Sequence, residues 1–292
     1  MKAKPSYHHH HRRTTTEEKR KRKMLEVKRI GVVGSGQMGS GIAQVAAMHG
    51  IDVWLHDLDP QALSKASSSI SSSINRFVSK NHISQVAGAD ALKRLRLTTD
   101  LEDLQLADLI IEAIVESEDV KKSLFAQLDR IAKSSAILAS NTSSISVTRL
   151  ATSTSRPRQV IGMHFMNPPP VMKLIEIVRG ADTSEETFVA TKALSERLGK
   201  VVITSHDYSG FIVNRILMPM INEAFFALYL CSMLMLEDLE ENEVLVCMNI
   251  VKIQGLQNHL PVSKMFVSLG RTSFQHPHFN YLVSDRGGGA HG

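Results

Sequence analysis

"RIGVVGSGQMGSGIAQVAAMHG", Arg29 to Gly50, is the stretch that decides the fold. A short apolar run enters a glycine-rich turn, and an amphipathic helical pattern leaves it and closes at Gly50. The turn reads Gly34-x-Gly36-x-x-Gly39. That spacing is weak evidence alone and strong evidence between a strand and a helix. Gly34 permits the tight turn, Gly36 lets a diphosphate approach the backbone, and Gly39 lets the helix pack close to the strand. The helix start, at Gln37 and Met38, offers free N–H groups and the positive end of the helix dipole to an anion. The next apolar run, "IDVWLHD", ends in Asp57, 23 residues after Gly34. A carboxylate there suits the two ribose hydroxyls of NAD and repels the extra phosphate of NADP. His56 reads as a bystander.

Working outward, strand and helix signals alternate. Pro60 opens a serine-rich helical stretch to about Lys80. "RLRLT", "ADLIIEAI" and "AILAS" read as strands, with helical "SEDVKKSLFAQLDRIAK" between the last two. "QVIGMHF", "KLIEIV", helical "SEETFVATKALSERLG" and "KVVIT" follow, and a long apolar helix starts at Phe211. Such alternation predicts an α/β fold, a Rossmann-type doubly wound sheet with helices on both faces, followed by a smaller helical C-terminal domain that is atypical or truncated. The expected boundaries are 1–23 for a basic tail, 24–206 for the nucleotide-binding domain and 207–292 for the helical region. Ligands in such sheets sit at the carboxyl ends of the strands. "IIEAIVES" places Glu112 and Ser117 there, and "LASNTSSIS" places Asn141, Thr142 and Ser143 there. For Ser143 or Ser144, plain helix capping is an equal reading.

"IGMHFMNPPPVMKLIEIV", Ile161 to Val178, carries one ionisable residue in each of two apolar runs, His164 and Glu176. An unpaired carboxylate in an apolar sheet costs several kcal/mol or loses its charge. Adjacent strands joined by the proline-rich loop bring the two within hydrogen-bond reach. The carboxylate then fixes the imidazole tautomer, as in base–orienter pairs. A purely structural His–Glu pair is the alternative.

The 292 residues hold 43% hydrophobic residues, enough for one large or two ordinary domains. The net charge of +5 belongs to the tail: residues 1–23 carry nine Lys/Arg and two Glu, a net of +7, which leaves the remainder at −2. A nucleic-acid role finds no support beyond that tail. The tail is too polar to form a core, lacks the apolar stretch of a secretory signal, and its four consecutive histidines, His8 to His11, read as solvated rather than metal-binding. Cys231 and Cys247 show no metal spacing and imply no disulfide. The longest uncharged apolar run, Ala224 to Leu236, falls short of the ~20 residues that cross a bilayer.

"GVVGSGQMGSGIAQ", "EAIVES", "SNTSSIS", "GMHFMNPPPVMKLIEIV" and "GFIVNRILMPMINEA" together resemble the L-3-hydroxyacyl-CoA dehydrogenase family, most of all its 3-hydroxybutyryl-CoA type, over about Leu25 to Tyr229. The resemblance implies NAD as cofactor and oxidation of an L-3-hydroxyacyl-CoA to the 3-ketoacyl-CoA, or the reverse. It implies that His164 takes the hydroxyl proton, that Glu176 orients it, and that Ser143 and Asn214 bond the reacting oxygen or thioester region. It assigns Gly34, Gly36, Gln37, Met38, Gly39, Asp57, Glu112, Ser117, Asn141 and Asn167 to the cofactor. It assigns Ser73 and Lys80 to coenzyme A, where an ordinary solvated helix face is the equal alternative, and it implies a homodimer. A catalytically weak NAD-binding isoform that has lost its C-terminal domain is a second reading, and a related sugar-acid dehydrogenase is a third. Cytoplasm, peroxisome and mitochondrion all stay open as settings. From Leu230 the sequence leaves the family pattern, as a changed frame or splice would cause. The expectation is a folded NAD-binding domain with turnover reduced or absent.

Overall fold

The computed structural model describes residues 27–238, and side chains of residues 27–227. The expectations for the tail, for the two cysteine side chains and for the C-terminal segment lie outside these. One unit runs to Ile216 and a second starts at Leu217.

The first unit is built on one sheet of eight strands: β1 (Arg29–Val33), β2 (Asp52–His56), β3 (Leu95–Thr98), β4 (Leu109–Glu112), β5 (Ile137–Ser140), β6 (Val160–Phe165), β7 (Leu174–Arg179) and β8 (Val201–His206). The order across the sheet is β3-β2-β1-β4-β5-β6-β7-β8. All pairs are parallel except β6 with β7. The chain reverses its winding between β1 and β4, and that crevice is where such folds take ligands.

Two apolar layers close the sheet. On one face Val32, Val53, Leu55, Ile111, Met163 and Ile177 pack with α1 (Gln37–Met48), α2 (Pro60–Ser79), α3 (Gln85–Lys93) and α6 (Glu185–Arg197). On the other, Val33, Ile110, Leu138 and Val178 pack with α4 (Glu118–Ile131) and α5 (Val147–Ala151). The alternation places Trp54, His56, His164 and Glu176 on this second face.

Most helix starts follow their sequence. Asp59, Ser84, Ser146 and Ser184 each accept a backbone N–H at the head of α2, α3, α5 and α6. The capping reading of Ser143 and Ser144 is thereby corrected: the cap of α5 is Ser146. Helix α1 differs, with Gly36 at its cap, no side chain on its first N–H groups and no acidic residue in its first turn. Gly50 ends α1 as expected, at φ +77°. The serine-rich helix and the following α3, which the sequence reading left unassigned, form a hairpin closed by Gly88, where an added Cβ would lie 2.8 Å from Val78.

The last helix, α7 (Val213–Asp238), starts two residues later than its apolar pattern suggests. Phe211 sits at φ +50° after Gly210 at +77°, so the chain turns before it coils. The expected boundary at 206/207 lies in the loop entering α7. The observed division falls later, because the head of α7 is bonded to the sheet before the second unit starts. Of that second unit, the described part is the remainder of α7, with Pro219 inside it.

Candidate active site

The glycine turn is fixed by steric limits that differ at each position. Gly34 has φ +98°, and a Cβ there would stand 2.6 Å from the Ala113 carbonyl oxygen. At Gly39 a Cβ would fall 1.8 Å from the Gly34 carbonyl oxygen. Gly36 is the opposite case, with no protein atom within 4 Å of an added Cβ. Gly34 and Gly39 are therefore glycine for the protein's own packing, and Gly36 faces open space at the uncapped head of α1. Gln37 is exposed and Met38 leans on the core. A diphosphate fits this cradle: bare N–H groups, a dipole of the right sign and room for close approach.

Asp57 anchors the turn from β2. Its Oδ2 accepts from Ser35 N and Ser35 Oγ, both at 2.8 Å, and its Oδ1 accepts from Asp59 N at 3.1 Å. Burial pushes its carboxyl up, and these hydrogen bonds outweigh that and hold it below the usual carboxylate range. The group is thus an anion with lone pairs still unused. Beside it opens a cleft of about 540 Å³ lined by Val33, Gly34, His56, Asp57, Thr99 and Val120, among others. His56 is buried and neither ring nitrogen has a hydrogen-bond partner. Burial pushes its imidazole down from the usual value, against the raising effects of Asp57, the Thr99 backbone, Asp100 and Asp103. Burial thus favours the neutral ring, and Thr99 is near without meeting bonding geometry.

The other half of the site lies three strands away, about 14 Å along the sheet. His164 and Glu176 face each other directly across the antiparallel β6–β7 pair. His164 Nδ1 and Glu176 Oε2 are 2.6 Å apart, with His164 6% exposed and Glu176 fully buried. Glu176 Oε1 accepts from Ile212 N at 3.0 Å and Val213 N at 2.9 Å, the head of α7. Burial pushes the Glu176 carboxyl up, but hydrogen bonds from His164, Val213 and Ile212 prevail and hold it low. An ionised Glu176 requires the proton on Nδ1, which leaves the Nε2 lone pair to accept a proton. Phe211 packs edge-on to the imidazole, ring centres 5.8 Å apart.

Ser143 and Asn214 meet beside this pair. Asn214 Nδ2 donates to the Ser143 carbonyl at 3.1 Å, and the Ser143 amide donates to Glu116 Oε1 at 2.9 Å. Both bonds engage groups other than the Ser143 hydroxyl. Asn141 Oδ1 accepts from Phe165 N at 2.9 Å and so ties the end of β5 to the strand of His164. Asn167 is exposed just past β6.

Glu112 and Ser117 are placed differently from a cofactor-facing pair. Glu112 is fully buried, its Oε1 taken by Lys121 Nζ at 2.5 Å and Ile114 N at 2.8 Å, its Oε2 by Ser140 Oγ at 2.6 Å. Ser117 caps α4 through its backbone only. The residues that the sequence reading missed are Glu116 and Lys121. Lys121 is 1% exposed and also reaches Glu116 Oε2 at 3.2 Å. Glu116 Oε1 gathers Thr142 Oγ1 and the Ser143 and Ser144 amides while 40% of its side chain stays exposed. This carboxylate reaches the surface beyond the ends of β4 and β5. The signal was present: Lys121, Leu124, Phe125 and Leu128 form one helical stripe, so a lysine occupies an apolar position.

Ser73 and Lys80 lie two turns apart along α2, Ser73 half-buried and Lys80 exposed at its end, both flanking the stripe of buried Leu63, Ala66, Ile70 and Ile74. No hydrogen bond links either to the His164 group.

Comparison with known proteins gives one family model, "3-hydroxyacyl-CoA dehydrogenase, NAD binding domain", matching residues 29–208. A 3-hydroxybutyryl-CoA dehydrogenase of Bradyrhizobium diazoefficiens is 49% identical over 203 residues, 70% of this chain and 69% of that protein. A probable 3-hydroxybutyryl-CoA dehydrogenase of Bacillus subtilis is 45% identical over 205 residues, 70% of this chain and 71% of that one. Among solved structures, the (S)-3-hydroxybutyryl-CoA dehydrogenase of Ralstonia eutropha is similar with a TM-score of 0.67 at 46% identity, over 68% of this chain and 71% of that chain.

Proposed function

We propose, from a chain that belongs to the 3-hydroxyacyl-CoA dehydrogenase family, that this NAD-dependent oxidoreductase interconverts a short L-3-hydroxyacyl-CoA and its 3-ketoacyl-CoA through His164 and Glu176. The named relatives support a four-carbon acyl group. NAD, when bound, supplies the hydride acceptor at one end of the cleft.

The observation that carries the reading is the 2.6 Å contact between His164 and a buried Glu176 whose second oxygen is held by two backbone amides. Glu176 cannot turn away, so His164 presents Nε2 as acceptor for the proton of the 3-hydroxyl. In the reduction direction the same nitrogen returns the proton to the nascent alkoxide. A positioned base of this kind contributes ~10²–10⁴ in rate, or ~3–5 kcal/mol of barrier. The Ser143 hydroxyl and the Asn214 amide bond the substrate oxygens and orient the thioester. Asp57 receives the adenosine ribose hydroxyls, the N–H groups of Gln37 and Met38 receive the diphosphate, and Glu116 with Asn141 and Asn167 lines the nicotinamide end. Ser73 and Lys80 meet the coenzyme A portion, Lys80 through charge on a phosphate.

Acetoacetyl-CoA reduction, followed by loss of NADH absorbance, tests this. The expected result is turnover by the full chain and a ~10²–10⁴-fold fall in kcat for His164→Ala, with NADH affinity kept. Equal rates for both proteins, or NADH binding without turnover by the unsubstituted chain, overturn the assignment.

A further inference from the structure

The loop from Met166 to Lys173 leaves the strand of His164, and two elements hold it from outside. Its own turn uses one carbonyl: Pro168 O accepts from Val171 N and Met172 N, both at 3.0 Å. The Pro169 and Met172 carbonyls are instead taken by a single distant side chain, Lys200 Nζ, at 2.5 Å and 2.8 Å. Lys200 stands directly before β8, at the same end of the sheet. Its ammonium also lies 6.0 Å from the Phe165 ring centre, within cation–π range of the residue that follows His164. No carboxylate pairs with it among the described residues, so carbonyl dipoles and a ring face balance the charge.

On the opposite side the loop meets the helix that starts at the glycine turn. A Cβ at Gly41 of α1 would stand 2.8 Å from Pro169 Cδ, and Pro169 is buried. The loop is therefore wedged between α1 and the end of β6. Helix α1 is held by its own packing on the sheet and acts as a fixed wall, so a shift of Pro169 moves the segment carrying Asn167 relative to His164.

We propose that Lys200 is a positioning residue, whose ammonium clamps the Pro169 and Met172 carbonyls and so sets the proline loop against both α1 and the His164 strand. The proposal rests on the NAD reading above only for its functional consequence. Burial without an acidic partner pushes the Lys200 amine below its usual value, in keeping with a site that uses the side chain for geometry rather than for a surface ion pair. Arginine offers donors at a similar reach, whereas methionine offers the same volume and none.

The test uses the full chain and its Lys200→Met, Lys200→Arg, Asn167→Ala and Lys200→Met/Asn167→Ala variants. Amide exchange at Val171 and Met172 reads the clamp with no nucleotide present. Fluorescence titration with NADH and with ADP-ribose, which lacks the nicotinamide, reads its consequence. Faster exchange at both amides in Lys200→Met, largely restored in Lys200→Arg, is expected. NADH affinity should fall about tenfold, as when one charge-assisted bond is lost, with ADP-ribose affinity unchanged and the NADH effect absent in the Asn167→Ala background. Unchanged exchange overturns the clamp. Equal weakening of NADH and ADP-ribose, or the same NADH loss with and without Asn167, overturns its positioning role and leaves a structural lysine. An unsubstituted chain that binds no NADH counts against the functional reading instead, and the exchange result still decides the clamp.

Discussion

Replacing Glu176 with glutamine changes one oxygen to an amide nitrogen and nothing in volume. Glutamine Oε1 can still accept from Ile212 N and Val213 N, as the carboxylate does at 3.0 and 2.9 Å. Turning the amide over would set its N–H groups against those two donors, so the nitrogen must face His164 Nδ1. That nitrogen donates, which forces the imidazole proton from Nδ1 to Nε2. The ring stays in place and loses its free lone pair on the substrate side. Turnover should fall ~10²–10⁴-fold at neutral pH. Stability should fall as well. Three bonds to a charged acceptor weaken to neutral ones or reverse, at roughly 1 kcal/mol each, for a total of about 3 kcal/mol, or roughly 6–12 °C in a unit of this size. The stability gap has a pH dependence of known sign. Hydrogen bonds hold the Glu176 carboxyl below its unfolded value despite burial. Its contribution is full above the ordinary glutamate range and is lost as pH falls through the folded value. The difference between the two proteins therefore narrows in acid. Kinetics with acetoacetyl-CoA and NADH, thermal melts from pH 8 to 4, and NADH titration as a folding control measure all three effects. A variant that keeps more than a tenth of the wild-type kcat, or a gap that widens in acid, refutes the tautomer argument.

Two glycine substitutions should separate fold from binding. Gly39→Ala drives a Cβ into the Gly34 carbonyl and should lower the melting temperature and abolish NADH binding together, whereas Gly36→Ala meets no protein atom and should melt like the wild type while binding NADH at least tenfold more weakly, about the loss of one backbone–phosphate contact. Comparable melting losses in both would refute the distinction. His56→Leu removes two unpartnered ring nitrogens and should stabilise the chain by about 1 kcal/mol at neutral pH. Because burial lowers the folded value of His56, the wild type should lose stability as pH falls below about 6.5, and the variant should lose less in chemical denaturation at pH 7 and 5. Asp207→Asn loosens a carboxylate that accepts from Ser146 Oγ, Val147 N and Thr148 N, and should cost about 1–2 kcal/mol at neutral pH. The Asp207 carboxyl is held low by those bonds against the upward push of burial, so that cost should fade in acid, and a constant difference across pH would contradict it.

Much of the site was legible wherever residue spacing alone fixed the geometry. The glycine turn is the plainest case, since strand, turn, helix and terminal Asp57 follow each other within one local unit. The His164–Glu176 pair was legible for a related reason. Two short apolar runs joined by a proline loop have few ways to pair, and the observed register sets the two residues opposite each other. Glu112 was readable as a strand-end carboxylate but its surroundings were not, because its partner comes from a helix nine residues later. The role of Lys200 was hidden altogether. A lysine before a strand looks solvated, and only the folded loop shows two carbonyls waiting for it.

One rule connects these cases. Glu112, Glu176 and His56 each interrupt an apolar strand, and each must be compensated or carry its cost. Glu176 is compensated by the neighbouring strand and by two backbone amides, and the result is a histidine with one proton position fixed. Glu112 is compensated by Lys121 and Ser140, and that lysine in turn holds Glu116 at the mouth between β4 and β5. His56 has no partner, and it alone lines the open cleft at the nucleotide end. These three buried groups thus lie near the edge of the sheet that the glycine turn faces. A fold that needed only stability would place apolar residues at these positions, because a buried ion pair rarely outperforms them. The presence of the two glutamates there is better explained by what they hold in position than by what they add to the core.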